Sequence, residues 1–380
     1  MKIIYKTILI LLFVSLFFFT ACDGLSEQQS LQTEDSLVQP TTLDNDYSTQ
    51  EQSGLVLDTI SELSDDSEFI VYYLDVGQAA AAFIICDGYT MLIDGGDVGS
   101  SSLIYSFLNR HEIDHLDFIV NTHPHADHVG GLAGALNRVS SVGTVFGSAT
   151  EYDTRAFENF VKYLHEHGVD ITIPKAGDSF LLGSALIEIL APVRNYNDVN
   201  NNSIVLKITY GETSFLFKGD AERESEIDIL EAGYDVSATV LKVSHHGSDT
   251  STTYPFLRAV MPEVAIISVG QDNQYGHPHD NLLSRLRDAD VTIYRTDLQG
   301  DIIITSDGYN ITVVTQRNFD IITNPTEAVV EEFTHIGNSN SKKFHRPDCH
   351  TLPAEHNRVE LASRQHAVDD GFEPCGNCNP

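Results

Sequence analysis

Thr122-His123-Pro124-His125-Ala126-Asp127-His128-Val129-Gly130-Gly131 crowds three histidines and an aspartate into the six positions from His123 to His128. The stretch follows an apolar, strand-like run, Phe118-Ile119-Val120, and precedes a small-residue helix from Gly130 to Leu136. A turn of that kind carries all four side chains on one short loop at a strand's C-terminal end. Imidazole nitrogens with an interleaved carboxylate suit Zn²⁺ or a similar first-row metal, and four ligands are too many for one open catalytic site. The pattern H-x-H-x-D-H therefore predicts two adjacent divalent ions. The plain alternative, an exposed polar loop that is merely rich in His, leaves further ligand-type residues downstream without a purpose.

Working outward, a globular pattern begins at Phe69. Residues 69–75, 83–86 and 90–94 read as strands, the last two forming a hairpin around Asp87-Gly88. A helix is predicted over 101–109 with Leu103, Ile104, Phe107 and Leu108 facing inward, and another over 154–167 on Phe157, Phe160, Val161 and Leu164. His165 and His167 at the end of that helix read as solvent-facing partners of its dipole. Strands follow near 116–121, 142–146, 169–173 and 185–191, then a hairpin, Ile204–Tyr210 with Thr213–Phe217, running into Gly219-Asp220. A helix near 222–232 precedes strand 238–243, which leads into Ser244-His245-His246-Gly247-Ser248. Strand 264–268 leads into Tyr275-Gly276-His277-Pro278-His279, and short strands near 291–294, 301–305 and 310–315 close the domain. Strands interrupted by helices, with polar clusters at strand ends, predict an α/β fold of two sheets with helices outside.

At 380 residues and 42% apolar composition the chain can hold one large domain and an appendage. A formal charge of −33 leaves no global electrostatic footprint for nucleic acid, although bound metals would supply local positive charge. Lys2 and Lys6 stand at the start of an apolar run from Ile8 to Phe19 that ends in Phe19-Thr20-Ala21-Cys22, the pattern of a signal peptide. The small residues before Cys22 resemble a bacterial lipobox, with Phe19 where Leu is usual. That resemblance implies a lipoprotein signal over 1–22, cleaved before Cys22 so that Cys22 becomes the first residue and carries the lipid, and an exported lipoprotein anchored to the cell surface. Residues 23–67 read as a flexible acidic tether. Cys86, alone in a buried-looking strand, reads as inert packing.

Asp94 before Gly95-Gly96, the His123–His128 motif, Gly219-Asp220 and a later His, in that order, resemble the metallo-β-lactamase superfamily. Leu74-Asp75-Val76-Gly77-Gln78, Asn201-Asn202-Ser203, His245-His246-Gly247-Ser248 and Tyr275-Gly276-His277-Pro278 resemble more closely the hydrolase domain of the DNA-uptake competence protein ComEC. The resemblance implies a four-layer αββα sandwich over 68–316 with a dinuclear site of Zn or Mn. Carried over by position, His123 and His125 hold the first metal, Asp127 and His128 the second, and Asp220 bridges them. His246 completes the second metal, with His245 as the alternative. His277 polarises a substrate oxygen, or serves as that last ligand. Asp94 orients a ligand histidine, and Asp127 and Asp94 count with His277 among the catalytic groups.

Two departures matter. Many members place a third His for the first metal where this chain has Asn201-Asn202-Ser203, so Asn202 becomes a weak candidate ligand there. The branch also has Gly-Asp after Gly77-Gln78, where this chain reads Ala79-Ala80-Ala81-Ala82.

Residues 317–334 read as a linker. Beyond it, His345-x₃-Cys349 and Cys375-x₂-Cys378 give four ligands in two pairs, the pattern of a closed structural zinc site, with His350 competing with His345. Residues 335–380 lack core enough to stand alone, so a zinc would contribute much of their folding energy. They resemble the Ada-type zinc-binding domain, which has Cys in place of His345, and which implies DNA affinity. The whole predicts an exported metal-dependent nuclease or phosphodiesterase acting on DNA. Two alternatives stand beside it: a phosphodiesterase on a choline-phosphate or teichoic-acid unit, and a non-catalytic DNA-binding lipoprotein. No protein partner is deducible.

Overall fold

The computed structural model describes residues 69–326 and 335–380, apart from Asp348, Ala362 and Asn379. Residues 1–68, on which the expected signal segment, Cys22 and the expected tether fall, and residues 327–334 lie outside the described residues. In chain order the strands of the large domain are β1 (Phe69–Tyr73), β2 (Ala82–Cys86), β3 (Tyr89–Ile93), β4 (His115–Asn121), β5 (Ser141–Gly147), β6 (Ile171–Thr172), β7 (Ser179–Leu182) and β8 (Ala185–Ala191). They continue as β9 (Val205–Tyr210), β10 (Thr213–Phe217), β11 (Val240–Lys242), β12 (Val264–Ile267), β13 (Thr292–Arg295), β14 (Ile302–Ser306) and β15 (Ile311–Thr315). One sheet has the order β15-β14-β1-β2-β3-β4-β5-β6 and the other β13-β12-β11-β10-β9-β8-β7.

Period-2 alternation explains the layering. In β1, Phe69, Val71 and Tyr73 face the second sheet and join Ile187, Leu206, Phe215, Phe217 and Ile304 in the central core. Ile70 and Tyr72 point the other way, onto Phe107 and Ile104 of the helix Ser101–Arg110. The helices Leu132–Arg138 and Arg155–Glu166 cover the same outer face. Beneath the second sheet, Leu216, Leu241 and Ile267 pack on the helices Arg223–Glu231, Tyr254–Val260 and Asp280–Asp288. The result is a four-layer αββα sandwich. Each fully buried Phe or Leu on these faces is worth about 1.5–3 kcal/mol relative to exposure, so the two sheet faces supply most of the driving force.

Several local expectations shift. Leu103 is 38% exposed, because the helix turns only Ile104, Phe107 and Leu108 fully inward. His167 is not a solvent-facing dipole partner, since its Nε2 bonds the Leu136 carbonyl at 2.7 Å. The closing strands β14 and β15 leave the second sheet and return beside β1, antiparallel, with Phe69 opposite Ser306 and Tyr73 opposite Ile302. This return closes the first sheet at its N-terminal strand. A separate four-stranded sheet, built from His335–Asn338, Lys343–His345, Arg358–Leu361 and Glu373–Pro374, forms the C-terminal element around Phe344, Leu361, Ala367 and Phe372.

Candidate metal centre

The centre lies where four strand ends meet: β3, β4, β10 and β11. Strand β4 ends at Asn121, and the chain turns through His123 and His125 into a single helical turn, Ala126–Val129, that carries Asp127 and His128. Close backbone packing holds the loop down. A Cβ on Gly131 would sit 1.8 Å from the Gly95 carbonyl oxygen, so the two Gly-Gly steps of the sequence are one contact. Gly219, at φ +51°, lets β10 turn sharply beside Thr122 and deliver Asp220.

Asp127, His128, Asp220 and His246 bring one ligand atom each within 4.8 Å of one another. His128 Nε2 is 3.2 Å from Asp220 Oδ1, and His246 Nε2 is 3.2 Å from Asp127 Oδ2 and 3.7 Å from Asp220 Oδ2. Beside them His123 Nε2 lies 3.1 Å from His125 Nδ1 and 3.8 Å from Asp220 Oδ2. The structure therefore brings His123, His128 and His246 to the Asp220 carboxylate, with Asp127 beside His246 and His125 beside His123. His128 Nε2 and Asp220 Oδ1 are buried and make no hydrogen bond. Two facing buried acceptor atoms without a donor fit a shared cation, and so does the mixed imidazole and carboxylate donor set.

The far nitrogen of each ring is held. His128 Nδ1 donates to Asp94 Oδ2 at 2.7 Å, and His246 Nδ1 to the Ser268 carbonyl at 2.9 Å, leaving both Nε2 lone pairs for the centre. Asp94 also accepts from the Thr122 backbone N–H at 2.8 Å and the Thr122 hydroxyl at 2.7 Å. Burial depresses the His128 imidazole, but Asp220 and Asp94 override it and hold it well above the ordinary range, so a metal bound at Nε2 would displace a proton held there by Asp220. Burial and the charge of His128 push His123 well below it, against the pull of Asp220. Burial opposes ionisation of Asp220, yet His128 and His246 keep it ionised well below the usual carboxylate range.

Asn202 is not part of the centre. Its Oδ1 accepts from Tyr196 N at 2.9 Å, and its Nδ2 donates to the Tyr196 and Asp198 carbonyls, so the amide is spent on its own turn. Its neighbours do the local work: Ser203 Oγ accepts from Asp220 N at 3.1 Å, and Asn201 Oδ1 accepts from Glu222 N and Ser225 N at the start of the helix Arg223–Glu231. The run Ala79–Ala82 is wholly buried, and Ala80 bonds the loop directly, its N–H to the Asp127 carbonyl at 3.1 Å. Gln78 carries a role the sequence motif did not disclose. Its Oε1 accepts from Gly270 N at 3.0 Å, which turns its amide donor onto His277 Nδ1 at 3.3 Å. His277 stands 5.7 Å from the His245 ring and stacks on Tyr275.

Under the centre, Lys218 and Glu226 form a fully buried ion pair. Glu226 also accepts from Thr252 N, Thr253 N and the Thr253 hydroxyl, tying the turn after His246 to the strand end before Asp220. Pairwise sequence spacing gave no sign of this link. In the C-terminal element, His345, Cys349, Cys375 and Cys378 bring their ligand atoms within 4.8 Å of one another, with His345 Nδ1 3.5 Å from Cys349 Sγ. His350 is exposed and outside that group. Cys375 is held down to about 7, chiefly by backbone N–H groups of Asn377 and Cys378, which favours the thiolate that binds metal.

With fold and centre described, comparison with known proteins assigns the class. The metallo-beta-lactamase superfamily pattern matches residues 74–271, and the chain belongs to that family of metal-dependent hydrolases. Within it, the chain is 30% identical over 257 residues to ComE operon protein 3 of Bacillus subtilis, covering 62% of this chain and 33% of that one. It is 29% identical over 242 residues to competence protein ComA of Neisseria gonorrhoeae, covering 63% and 32%. The chain thus spans about a third of the length of the curated relatives it matches. Among solved structures, the metallo-beta-lactamase fold protein YhfI from Bacillus subtilis superposes with a TM-score of 0.44 at 13% identity, covering 63% of this chain and 100% of that one.

Proposed function

We propose that the chain is an exported, membrane-tethered phosphodiesterase that cleaves extracellular DNA at a dinuclear centre. The observation that carries the reading is the convergence of His123, His128 and His246 on Asp220, with Asp127 and His125 beside them and with buried ligand atoms that no hydrogen bond satisfies. Two divalent ions held there would acidify a shared water and stabilise charge developing on phosphoryl oxygens. The protein's own residues set the rest. Asp127 has a side chain 37% exposed, at the open edge of the cluster, where its carboxylate can accept a hydrogen bond from the attacking water and orient it. His277 is pushed down to about 4, first by burial and then by His279 and His245, so it is neutral at pH 7. Because Gln78 donates to its Nδ1, the ring proton sits on Nε2, ready to donate to a substrate oxygen. Nucleic acid as substrate is supported by the relatives named as a competence protein in Neisseria gonorrhoeae and as recombination protein 2 in Haemophilus influenzae.

A second reading rests on one observation. Beside His125, at 6.0 Å from its ring, Tyr152 borders an open cavity of about 710 Å³ that is also lined by Glu151, Asp153 and Glu158. Carboxylates repel a second phosphate and attract a cation, so this cavity favours a small phosphodiester with a cationic substituent, such as a choline-phosphate unit. The test is to offer the full chain, loaded with Mn²⁺ or Zn²⁺, single- and double-stranded DNA, RNA, a choline phosphodiester and bis-p-nitrophenyl phosphate. Metal-dependent cleavage of DNA is expected. Turnover of the choline ester without DNA cleavage would favour the second reading, and no cleavage of any diester would refute both.

A further inference from the structure

A series of rings leads from the centre to the surface. His245 Nε2 lies 4.0 Å from Asp220 Oδ2, and the His245 and His277 rings stand 5.7 Å apart, 75° from parallel. Tyr275 then lies over His277 at 5.7 Å, with 26° between the ring planes. Tyr275 ends the series, 58% exposed, with the rest of its ring open to solvent. We propose that Tyr275 is the stacking platform for an unpaired nucleobase beside the scissile phosphodiester, and so selects single-stranded over duplex nucleic acid. The inference rests on the nucleic-acid reading above.

A single exposed tyrosine is ordinary on a protein surface. This one is held rigidly beside the site. Asn273 commits its whole side-chain amide to the loop: Oδ1 accepts from Tyr275 N at 3.2 Å and His277 N at 3.0 Å, and Nδ2 donates to the Gly270 and His277 carbonyls at 3.0 and 2.6 Å. His279 Nε2 donates to the Tyr275 carbonyl at 3.2 Å. Gly276, at φ +71° with open space where a Cβ would stand, reverses the chain so that the rings before and after it stack. Gln78 fixes His277 at Nδ1, and the His279 ring packs against it at 4.7 Å, 82° from parallel. A ring presented this way loses little conformational freedom when a flat ligand settles on it.

Electrostatics sets the kind of contact a nucleic acid can make here. Such ligands usually bind through Lys and Arg at their phosphates. A chain of formal charge −33, with Glu151, Asp153 and Glu158 on the His125 side, repels a polyanion at long range. Divalent ions in the centre would hold one phosphate, which leaves the bases to supply the remaining contact. Stacking on an aromatic side chain is worth roughly 5- to 150-fold in affinity per base, and every base has a face to offer. A duplex keeps those faces in its own stack, so the same ring reaches them only after unstacking. The two ring-to-ring steps outward from His245 match the scale on which a base stands off from its phosphate across the sugar.

The test separates base from phosphate. Binding of deoxyadenosine 5′- and 3′-monophosphate, and of the corresponding deoxyribose phosphates without a base, is measured by calorimetry on the full Mn²⁺-loaded chain, its Tyr275→Ala variant and its Tyr275→Phe variant. Wild type and Tyr275→Phe are expected to prefer at least one nucleotide over its baseless counterpart by about 5- to 150-fold. Tyr275→Ala should bind the two alike. In cleavage assays Tyr275→Ala should raise KM for single-stranded DNA by the same factor, with kcat within about twofold of wild type and KM for duplex unmoved. Unchanged nucleotide preference in Tyr275→Ala would overturn the platform, and so would equal weakening of nucleotide and baseless phosphate, which would mean that Tyr275 acts only by packing on His277. A wild type that hydrolyses bis-p-nitrophenyl phosphate but neither binds nucleotides nor cleaves DNA would overturn the nucleic-acid reading itself; one that cleaves DNA without any preference for the base would overturn the platform alone.

Discussion

Replacing Asp94 by Asn probes how the fold sets the metal centre through a residue that need not touch the metal. Asp94 is 2% exposed, and its two oxygens accept from Thr122 N, the Thr122 hydroxyl, Asn121 Nδ2 and His128 Nδ1. Deleting the carboxylate altogether, as in Asp94→Ala, strands three of these donors in the interior, Thr122 N, the Thr122 hydroxyl and His128 Nδ1, while Asn121 Nδ2 keeps the His123 carbonyl. At about 1–3 kcal/mol for each buried unpaired group, that variant loses on the order of 3–9 kcal/mol of stability. Asp94→Asn is the sharper test because it keeps the shape. Its oxygen can still serve Thr122 N, and the Thr122 hydroxyl can rotate to accept from the new amide. His128 cannot adapt without cost: facing an N–H, its Nδ1 must become the acceptor, so the proton moves to Nε2, the atom 3.2 Å from Asp220. A protonated Nε2 binds no metal. The expected result is a stability loss of only ~1–2 kcal/mol but a 10–100-fold loss of affinity for one ion, read by urea unfolding and by competition with a calibrated chelator. If Asp94→Asn binds both ions within threefold of wild type, His128 is not a ligand through Nε2 and the tautomer argument is wrong.

Further outcomes follow from other parts of the structure. Glu226→Ala leaves the Lys218 ammonium buried without its partner and should cost about 3–5 kcal/mol in urea unfolding, far more than the surface pair Lys162–Glu166. A loss under 1 kcal/mol would mean that the buried pair is not formed. Because His277 takes up its proton at about 4 in the folded chain against an ordinary 6.5, the folded state binds fewer protons in that window, and its stability falls as pH is lowered through it. His277→Asn should therefore narrow its difference from wild type between pH 7 and pH 4 in thermal unfolding; a constant difference would refute the assignment. Cys375→Ser should release one zinc, by metal analysis, without emptying the sandwich, since each ligand group is complete in itself. Simultaneous loss of every ion would show the two groups to be interdependent.

The metal loop was legible because its chemistry is local: four ligand types in six residues need no tertiary information. Gly219-Asp220 and His245-His246 were legible because each ends a recognisable hairpin or strand. What lay outside reach was pairing across the chain. No spacing rule reveals that Gln78 meets His277, or that Glu222 meets His245. Asn202 looked like a ligand because the amide stands where others place a histidine; the hydrogen-bonding needs of its own turn took precedence. The helix Tyr254–Val260 was hidden by the Ser/Thr run before it and by Pro255 in its first turn. The helix Asp280–Asp288, with Leu282, Leu283 and Leu286 buried, carried a readable helical period that the surrounding histidines drew attention from. That β14 and β15 rejoin the first sheet beside β1 is decided by the whole sandwich and by no segment alone. Of the domain limits, the large sheets run from Phe69 to Thr315 and the C-terminal sheet from His335 to Pro374.

The most direct measurement for the central claim is the rate of single-stranded DNA cleavage by the full chain as the stripped sandwich is refilled with Mn²⁺, alongside the same titration of Asp220→Ala. Asp220 is the carboxylate on which both ligand groups converge. The account predicts that cleavage appears only as the second ion binds, and that Asp220→Ala retains neither ions nor turnover. Cleavage that survives chelation, or an Asp220→Ala protein that stays metal-filled and active, would contradict it.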